Sequence, residues 1–348
     1  MPSRYGRFAN VKGLPEESSR LAFDFAGRVS RSSPGMPGGL AVVESAWGLP
    51  QALGLADDVE RLRVFLAGWQ EECDPEVAPI VRHQLSGRAK YFRPVTIFAC
   101  HRALHPDPPD EALIRCAAAL ELTHNVSLIV DDILDRSRFR RQKLALHCRF
   151  GFLPALMTAG YMTSGATALV ADDGYSVAKL AHLMQRLGAA ECMQWRLRRR
   201  PLGVEDWRTI AGEDTGSMFE TCACLGTRDD RLRRFGQLLG TLYHGCDDVA
   251  DVRGTAALGG GSEKDILDGI LTLPAAIAVR DPVVAALFER REPETIPLLT
   301  EKLASALPEA ERYLDRIAGE AEAEARANAA HSEGLLELIH HTRALSAA

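Results

Sequence analysis

The chain is poor in aromatic residues, with Phe, Trp and Tyr at 6% of 348 positions. Few stretches alternate with period two and no convincing hairpin is visible, so a sheet-rich fold is not expected. Its eight cysteines (Cys73, Cys100, Cys116, Cys148, Cys192, Cys222, Cys224, Cys246) are scattered and form no CxxC pair. That argues against a disulfide framework or a structural zinc site and for reduced thiols in a cytoplasmic protein. There is no basic excess either: the net charge is −6, which argues against a nucleic-acid partner. Met1 to Lys12 lacks the apolar core of a signal peptide, and no apolar window of about 18 residues is found, so no membrane span is expected. Any lipid would be handled from the aqueous side.

Apolar residues make up 46%, and Ala, Leu, Arg and Glu dominate. That composition can build a large core and favours helices. Residues 1–55 read as an N-terminal extension, partly flexible, because Ser30 to Gly39 is rich in Ser, Pro and Gly. Residues 56–348 read as one all-α domain. Its helices are expected at 57–70, 93–104, 110–135, 153–171, 175–199, 204–224, 229–253, 271–290, 294–305, 307–329 and 332–345. Asp110 is the expected cap of the third, after Pro106, Pro108 and Pro109. The helices at 110–135 and 229–253 carry long apolar stretches, which belong at the centre of a bundle.

Both of these helices end in acidic clusters. Asp131, Asp132 and Asp135 form a DDxxD, and Asp247, Asp248 and Asp251 repeat it. In each motif the outer residues lie close on one helix face. A helix C-terminus carries partial negative charge, so three aspartates there repel it and one another. A cation must compensate, and Mg2+ fits, since it takes oxygen ligands and bridges carboxylates to substrate phosphates. Asp57–Asp58, Asp172–Asp173 and Asp229–Asp230 lack the third aspartate and sit at expected helix starts, where capping explains them. Arg196–Arg200 reads as a solvated helix end, where cations are favoured.

With these motifs in this order, the chain resembles the trans-isoprenyl diphosphate synthases, or polyprenyl synthetases, over about residues 60–345. Gly87–Pro94 (GRAKYFRP) is similar to the family's GGKxxRP, Glu121–Asp135 to its first aspartate helix, and Arg140, Arg141 and His147 to RRGxPxxH. Ala190–Gln194 (AECMQ) is similar to GExxQ, Asp214–Gly216 (DTG) to KTG, Cys246–Asp251 (CDDVAD) to the second aspartate motif and Leu271–Pro274 to the TLP helix start. The resemblance implies a helical bundle of the isoprenoid synthase type around a central substrate cavity. It implies condensation of isopentenyl diphosphate with an allylic diphosphate, several Mg2+ ions held by the six aspartates, and a homodimer. Lys90, Arg93, His124 and Arg141 would hold isopentenyl diphosphate, and Arg140 would face the allylic diphosphate. Gln194 and Thr215 would lie near the reacting carbons and the leaving group.

Some family positions differ. Asp214 replaces the lysine of KTG, Gly259–Gly261 fills the region of the lysine after the second motif, Ile270 replaces another lysine, and Tyr243–His244 replaces Phe-Gln. A rebuilt allylic site, with Lys264, His244 or a neighbouring arginine substituting, is the expectation. A terpene cyclase or related lyase, or a non-catalytic subunit of a heteromeric synthase, are the alternatives. Thr123, Val126 and Ser127 are small along the first aspartate helix, where the family sets chain length by residue size. The implied product is geranylgeranyl or somewhat longer.

Overall fold

Asp110 starts the helix around which the others are arranged. Its carboxylate accepts the Leu113 N–H at 2.8 Å, and the prolines before it cannot continue a helix, so the chain enters α5 (Glu111–Leu134) there. From Cys116 to Val126 every residue of α5 is buried, as in a helix surrounded by others. The computed structural model describes residues 48–87, 90–254, 265–266, 268–290 and 292–347. The expected extension therefore lies outside the described residues except for 48–55, which carries α1 (Leu49–Ala52).

Before α5 come α2 (Ala56–Glu71), α3 (Ala78–Leu85) and α4 (Phe92–Arg102). After it come α6 (Leu146–Phe150), α7 (Phe152–Leu169), α8 (Gly174–Leu197), α9 (Val204–Glu213), α10 (Thr215–Thr227) and α11 (Arg233–Arg253). The rest are α12 (Leu273–Ala278), α13 (Pro282–Glu289), α14 (Ile296–Asn328) and α15 (Glu333–Ala344). α5 packs on α2, α4 and α7, while α11 packs on α10 and α14. The two aspartate helices are thus both interior, as their apolar runs suggested.

α10 and α11 approach backbone to backbone. A Cβ at Gly236 would stand 2.4 Å from the Phe219 carbonyl oxygen, and one at Gly240 2.6 Å from that of Thr215. These glycines bring the start of α10 against the half of α11 that leads into its aspartates.

Several sequence expectations are corrected. A short hairpin exists: β1 (Phe139–Arg140) pairs antiparallel with β2 (Lys143–Leu144), Arg140 opposite Lys143. Its turn residues Arg141 and Gln142 have φ of 51° and 65°, left-handed values usually signalled by Asn or Gly, so no local signal announced it. The stretch 204–224 is two helices, broken at Asp214, and 271–290 is also two, with Asp281 capping the second. Conversely, the segments expected at 294–305 and 307–329 are one helix through Pro308. A buried stripe (Leu299, Leu303, Ala306, Ala310, Leu314, Ile317) holds it together against the roughly 3 kcal/mol cost of an interior proline. α5 has mean hydropathy high enough to cross a membrane by length and composition, contrary to the expectation of no such window. Its most apolar stretch is 78% buried among other helices, which accounts for that hydropathy.

Candidate active site

Asp131 and Asp132 lie in the last turn of α5 and Asp135 caps it. Asp132 is fully buried, and Oδ1 accepts two hydrogen bonds from Arg140, from Nε at 2.9 Å and Nη2 at 2.7 Å. The hairpin delivers this arginine, so a two-residue strand completes the first motif.

The second motif lies in the last two turns of α11. Asp248 Oδ2 accepts the Trp207 Nε1–H at 2.7 Å and the Leu273 N–H at 2.8 Å. The indole of α9 and the first amide of α12 therefore aim this carboxylate. That amide belongs to the helix start that Thr272 caps through its hydroxyl. In contrast, Asp247 Oδ1 and Asp251 Oδ1 are buried without any hydrogen-bond partner. Among the described residues no three His, Cys, Asp or Glu side chains converge tightly enough to hold a metal unaided. Buried carboxylate oxygens left over on one wall, opposite a second acidic wall, suit ions that arrive with further oxygen ligands such as phosphates.

The two motifs are close enough to share charged neighbours. Arg140, bonded to Asp132, also acts electrostatically on Asp247, and Asp214 acts on both Asp131 and Asp248. Burial, then Glu191 and Asp214, raise the Asp131 pKa well above the usual range. Burial and then Asp248 push Asp247 to about 6, and burial followed by Asp247, Asp265 and Asp248 pushes Asp251 to about 8. Glu191 of α8, pushed to about 7 by burial, Asp214 and Asp135, adds a carboxylate that the sequence reading had not singled out. Such a crowd is costly without cations.

Lys90, Arg93, His124 and Arg141 are gathered on one flank. Burial lowers the Lys90 pKa, with Asp247 opposing and Arg141 reinforcing the shift. Arg93 Nη1 lies 3.1 Å from His124 Nε2. Arginine can only donate, so Nε2 accepts and the imidazole proton sits on Nδ1. Burial and then Arg93 hold this imidazole neutral, and its Nδ1 is buried without a partner. The result is a spare N–H donor among three cationic side chains. A cavity of about 310 Å3 opens beside them, lined by Arg141, Tyr91, Gly87 and Glu121 with residues of α2. Thr123, Val126 and Ser127 do not line it; Thr123 and Val126 are buried and Ser127 is half-buried.

On the side of the missing lysines, Asp214 stands where α9 and α10 break. His244 Nδ1 lies 3.0 Å from Thr215 Oγ1 and 3.4 Å from Asp214, and its Nε2 lies 3.9 Å from Asp248. Burial opposes charging of this imidazole, but Asp248, Asp214 and Asp247 prevail and lift it to about 9. Gln194 is half-buried on α8. Lys264 lies outside the described residues. The reading of Arg196–Arg200 as a solvated end needs correction: Arg196 and Arg200 are exposed, but Arg198 turns inward, 3.5 Å from Asp135 and 4.0 Å from Asp268. Its spacing of seven from Glu191 and four from Gln194 is the helical signal that could have found it.

Residues 74–296 match the family described as Polyprenyl synthetase. Among curated relatives, the nonaprenyl diphosphate synthase of Mycobacterium tuberculosis is 25% identical over 64% of this chain and 70% of its own length. The geranylgeranyl pyrophosphate synthase 4 of Arabidopsis thaliana is 25% identical over 60% of this chain and 63% of its own length. A polyprenyl synthase from Caulobacter crescentus, solved with calcium and isoprenyl diphosphate, superposes with a TM-score of 0.73 at 23% identity, covering 86% of this chain and 97% of that one. The family match spans well over half of the chain, and the helices, the paired aspartate motifs and the flanking cations agree with it. This chain belongs to the polyprenyl synthetase family of prenyl-transferring enzymes.

Proposed function

We propose that the chain condenses isopentenyl diphosphate with an allylic diphosphate to give a longer trans-prenyl diphosphate, geranylgeranyl or somewhat longer. One observation carries the reading: the two aspartate motifs share Arg140 and Asp214 as charged neighbours, and buried oxygens of Asp247 and Asp251 are unpartnered, beside a separate cationic flank. Two anion sites of different construction suit a reaction between two diphosphates.

On the metal side, the allylic C–O bond breaks and both electrons leave on pyrophosphate. Magnesium ions, held by Asp131, Asp132, Asp135, Asp247, Asp248 and Asp251, would neutralise that leaving group. Trp207 and the Leu273 amide fix Asp248, and Arg140 fixes Asp132 while its charge is shared with the diphosphate. On the cationic flank, Lys90, Arg93 and Arg141 supply charge and His124 Nδ1–H a neutral donor to the isopentenyl diphosphate. The π electrons of its double bond attack the allylic cation, and transfer of a proton from the resulting cation to the released pyrophosphate restores a double bond. Thr215, positioned by His244, and Gln194 lie at the allylic side; Lys264 is a further candidate there. Small Thr123, Val126 and Ser127 leave room for a long chain, and Val126→Phe should shorten the product by one or more isoprene units. An unchanged product length would sink that point.

We also propose a homodimer. α7 leaves Phe152, Leu153, Leu156 and Met157 exposed, a contiguous apolar face that a second copy would cover. Residues 1–55 are proposed to be an extension to a single catalytic domain, 56–348.

The replacement of a lysine by Asp214 favours a second reading, ionisation or cyclisation of a prenyl diphosphate without elongation. Incubation with Mg2+, isopentenyl diphosphate and dimethylallyl, geranyl or farnesyl diphosphate decides. Linear alcohols longer than the primer after phosphatase treatment support elongation. Cyclic or unextended products support the second reading, and no turnover alone points to a subunit of a heteromeric enzyme.

A further inference from the structure

Near the two aspartate motifs the protein concentrates negative charge beyond what the motifs themselves require. Asp214 stands where a cation is expected, Glu191 faces Asp131 and Asp135, and Asp268 follows on the segment after the second motif. Lys90 acts on Asp247 from the cationic flank, and Arg140, His244 and Arg198 also stand against this wall. Arg140 is committed to Asp132 by two short hydrogen bonds, and His244 to Asp214 and Thr215. Arg198 differs from both. Its contacts to Asp135 and Asp268 are long, at 3.5 and 4.0 Å, and its Nε is buried without a hydrogen-bond partner. Its guanidinium therefore holds a central position between acidic groups without a bidentate partner of its own.

The backbone fixes that position. After α8 ends, Arg199 adopts φ 63° and donates its N–H to the Gly269 carbonyl at 2.8 Å. Gly269 is itself left-handed at φ 68°, and a Cβ there would stand 2.4 Å from Arg199 Cγ. Arg199 Nη1 donates to the Arg290 carbonyl. The neighbour thus clamps the loop, and Arg198 is turned inward with its guanidinium stacked 4.1 Å over the Trp195 ring. Stacking occupies one face of the guanidinium and leaves its N–H edge, held at long range by Asp135 and Asp268, to bond oxyanions.

We propose that Arg198 binds the allylic diphosphate, replacing the charge lost where Asp214 and the glycine run stand in for lysines. It reaches the diphosphate from the α8 side, at the mouth between Asp135 and Asp268, whereas Arg140 reaches it from the hairpin. When the diphosphate and its cations enter, Asp135 turns to the cations and Arg198 exchanges its long carboxylate contacts for charge-assisted bonds to phosphate oxygens. This rests on the allylic diphosphate binding at the aspartate motifs, as proposed above.

The test compares Arg198→Gln and Arg198→Lys with the wild type. Loss of a charge-assisted contact should raise the KM for farnesyl diphosphate roughly 10- to 100-fold in Arg198→Gln and leave the KM for isopentenyl diphosphate within about twofold. Arg198→Lys should fall between. Binding of inorganic pyrophosphate with Mg2+, measured by calorimetry, should weaken in the same order. An unchanged farnesyl diphosphate KM and pyrophosphate affinity would overturn the proposal. So would a parallel rise of both KM values with a lowered melting temperature, the mark of a clasp that only holds the loop. The calorimetry reads Arg198 even if the wild type proves unable to elongate any primer, so failure of the elongation reading and failure of this one are separable.

Discussion

At the scale of single residues, the second motif divides its labour. Asp248 is satisfied by protein donors, while Asp247 and Asp251 keep unpartnered oxygens. Trp207→Phe removes one of the two donors to a buried carboxylate while keeping most of the packing. It should cost about 1–3 kcal/mol of stability, read by chemical denaturation, and lower turnover because Asp248 is no longer aimed. Full activity with unchanged stability would mean the indole bond aims nothing. The protonation of this wall also predicts how stability depends on pH. Asp247 (about 6), Asp251 (about 8) and His244 (about 9) all have folded pKa values raised above their ordinary ones. Groups raised in this way favour the folded state at low pH and lose that advantage as pH rises through the folded value. The metal-free protein should therefore melt at progressively lower temperature from about pH 5 to 9, and Mg2+ with pyrophosphate should recover most of the loss at pH 8. A melting temperature that rises over this range without metal would contradict the placement of these carboxylates.

At the scale of elements, the close approach of α10 and α11 sets the Asp214–Thr215–His244 group. Gly236→Ala places a methyl 2.4 Å from a carbonyl oxygen, so the helices must part. A loss of about 1–3 kcal/mol in denaturant unfolding is expected. Gly319→Ala, on the exposed face of α14 with open space around it, should instead stabilise by about 0.5–1 kcal/mol. Equal effects would show that helix propensity, not contact, governs Gly236. The same elements show what a sequence discloses. α5 was legible because a capping aspartate after prolines and an uninterrupted apolar run are local signals, and the aspartates at its end stand out against that run. The break at Asp214 was not, because the contact that Asp214 makes there is with a histidine 30 positions away, which no local pattern shows. The helix through Pro308 was misread for the opposite reason: burial along 33 residues overrides a local breaker. Arg198 was hidden in a basic run that read as solvent-facing; its helical spacing from Glu191 and Gln194 hints at the inward turn that the clamp on Arg199 then fixes.

At the scale of the whole molecule, α7 has two apolar faces, and among the described residues only one is packed against other helices. Ala155, Ala159, Met162 and Ala166 are buried against α5 and its neighbours, a stripe at helical spacing. Leu153, Leu156 and Met157, with Phe152 beside them, point away and are 45–69% exposed. Large apolar side chains seldom cluster at a solvated surface unless something covers them. An 18-residue helix is about 27 Å long, enough to lie against its equivalent across a two-fold axis, where each copy presents the same face. Gly160 and Ser164 continue the exposed stripe and would let the two α7 helices approach closely toward its C-terminal half. If α7 is the centre of a homodimer, Leu153→Glu with Met157→Glu places four like charges across one axis and should convert the protein to a monomer in light scattering after size exclusion. The melting temperature of the wild type should rise with protein concentration, and that of the variant should not. The same two substitutions on a chain that was already monomeric would leave mass and concentration dependence unchanged, and the apolar face of α7 would then belong to a different partner.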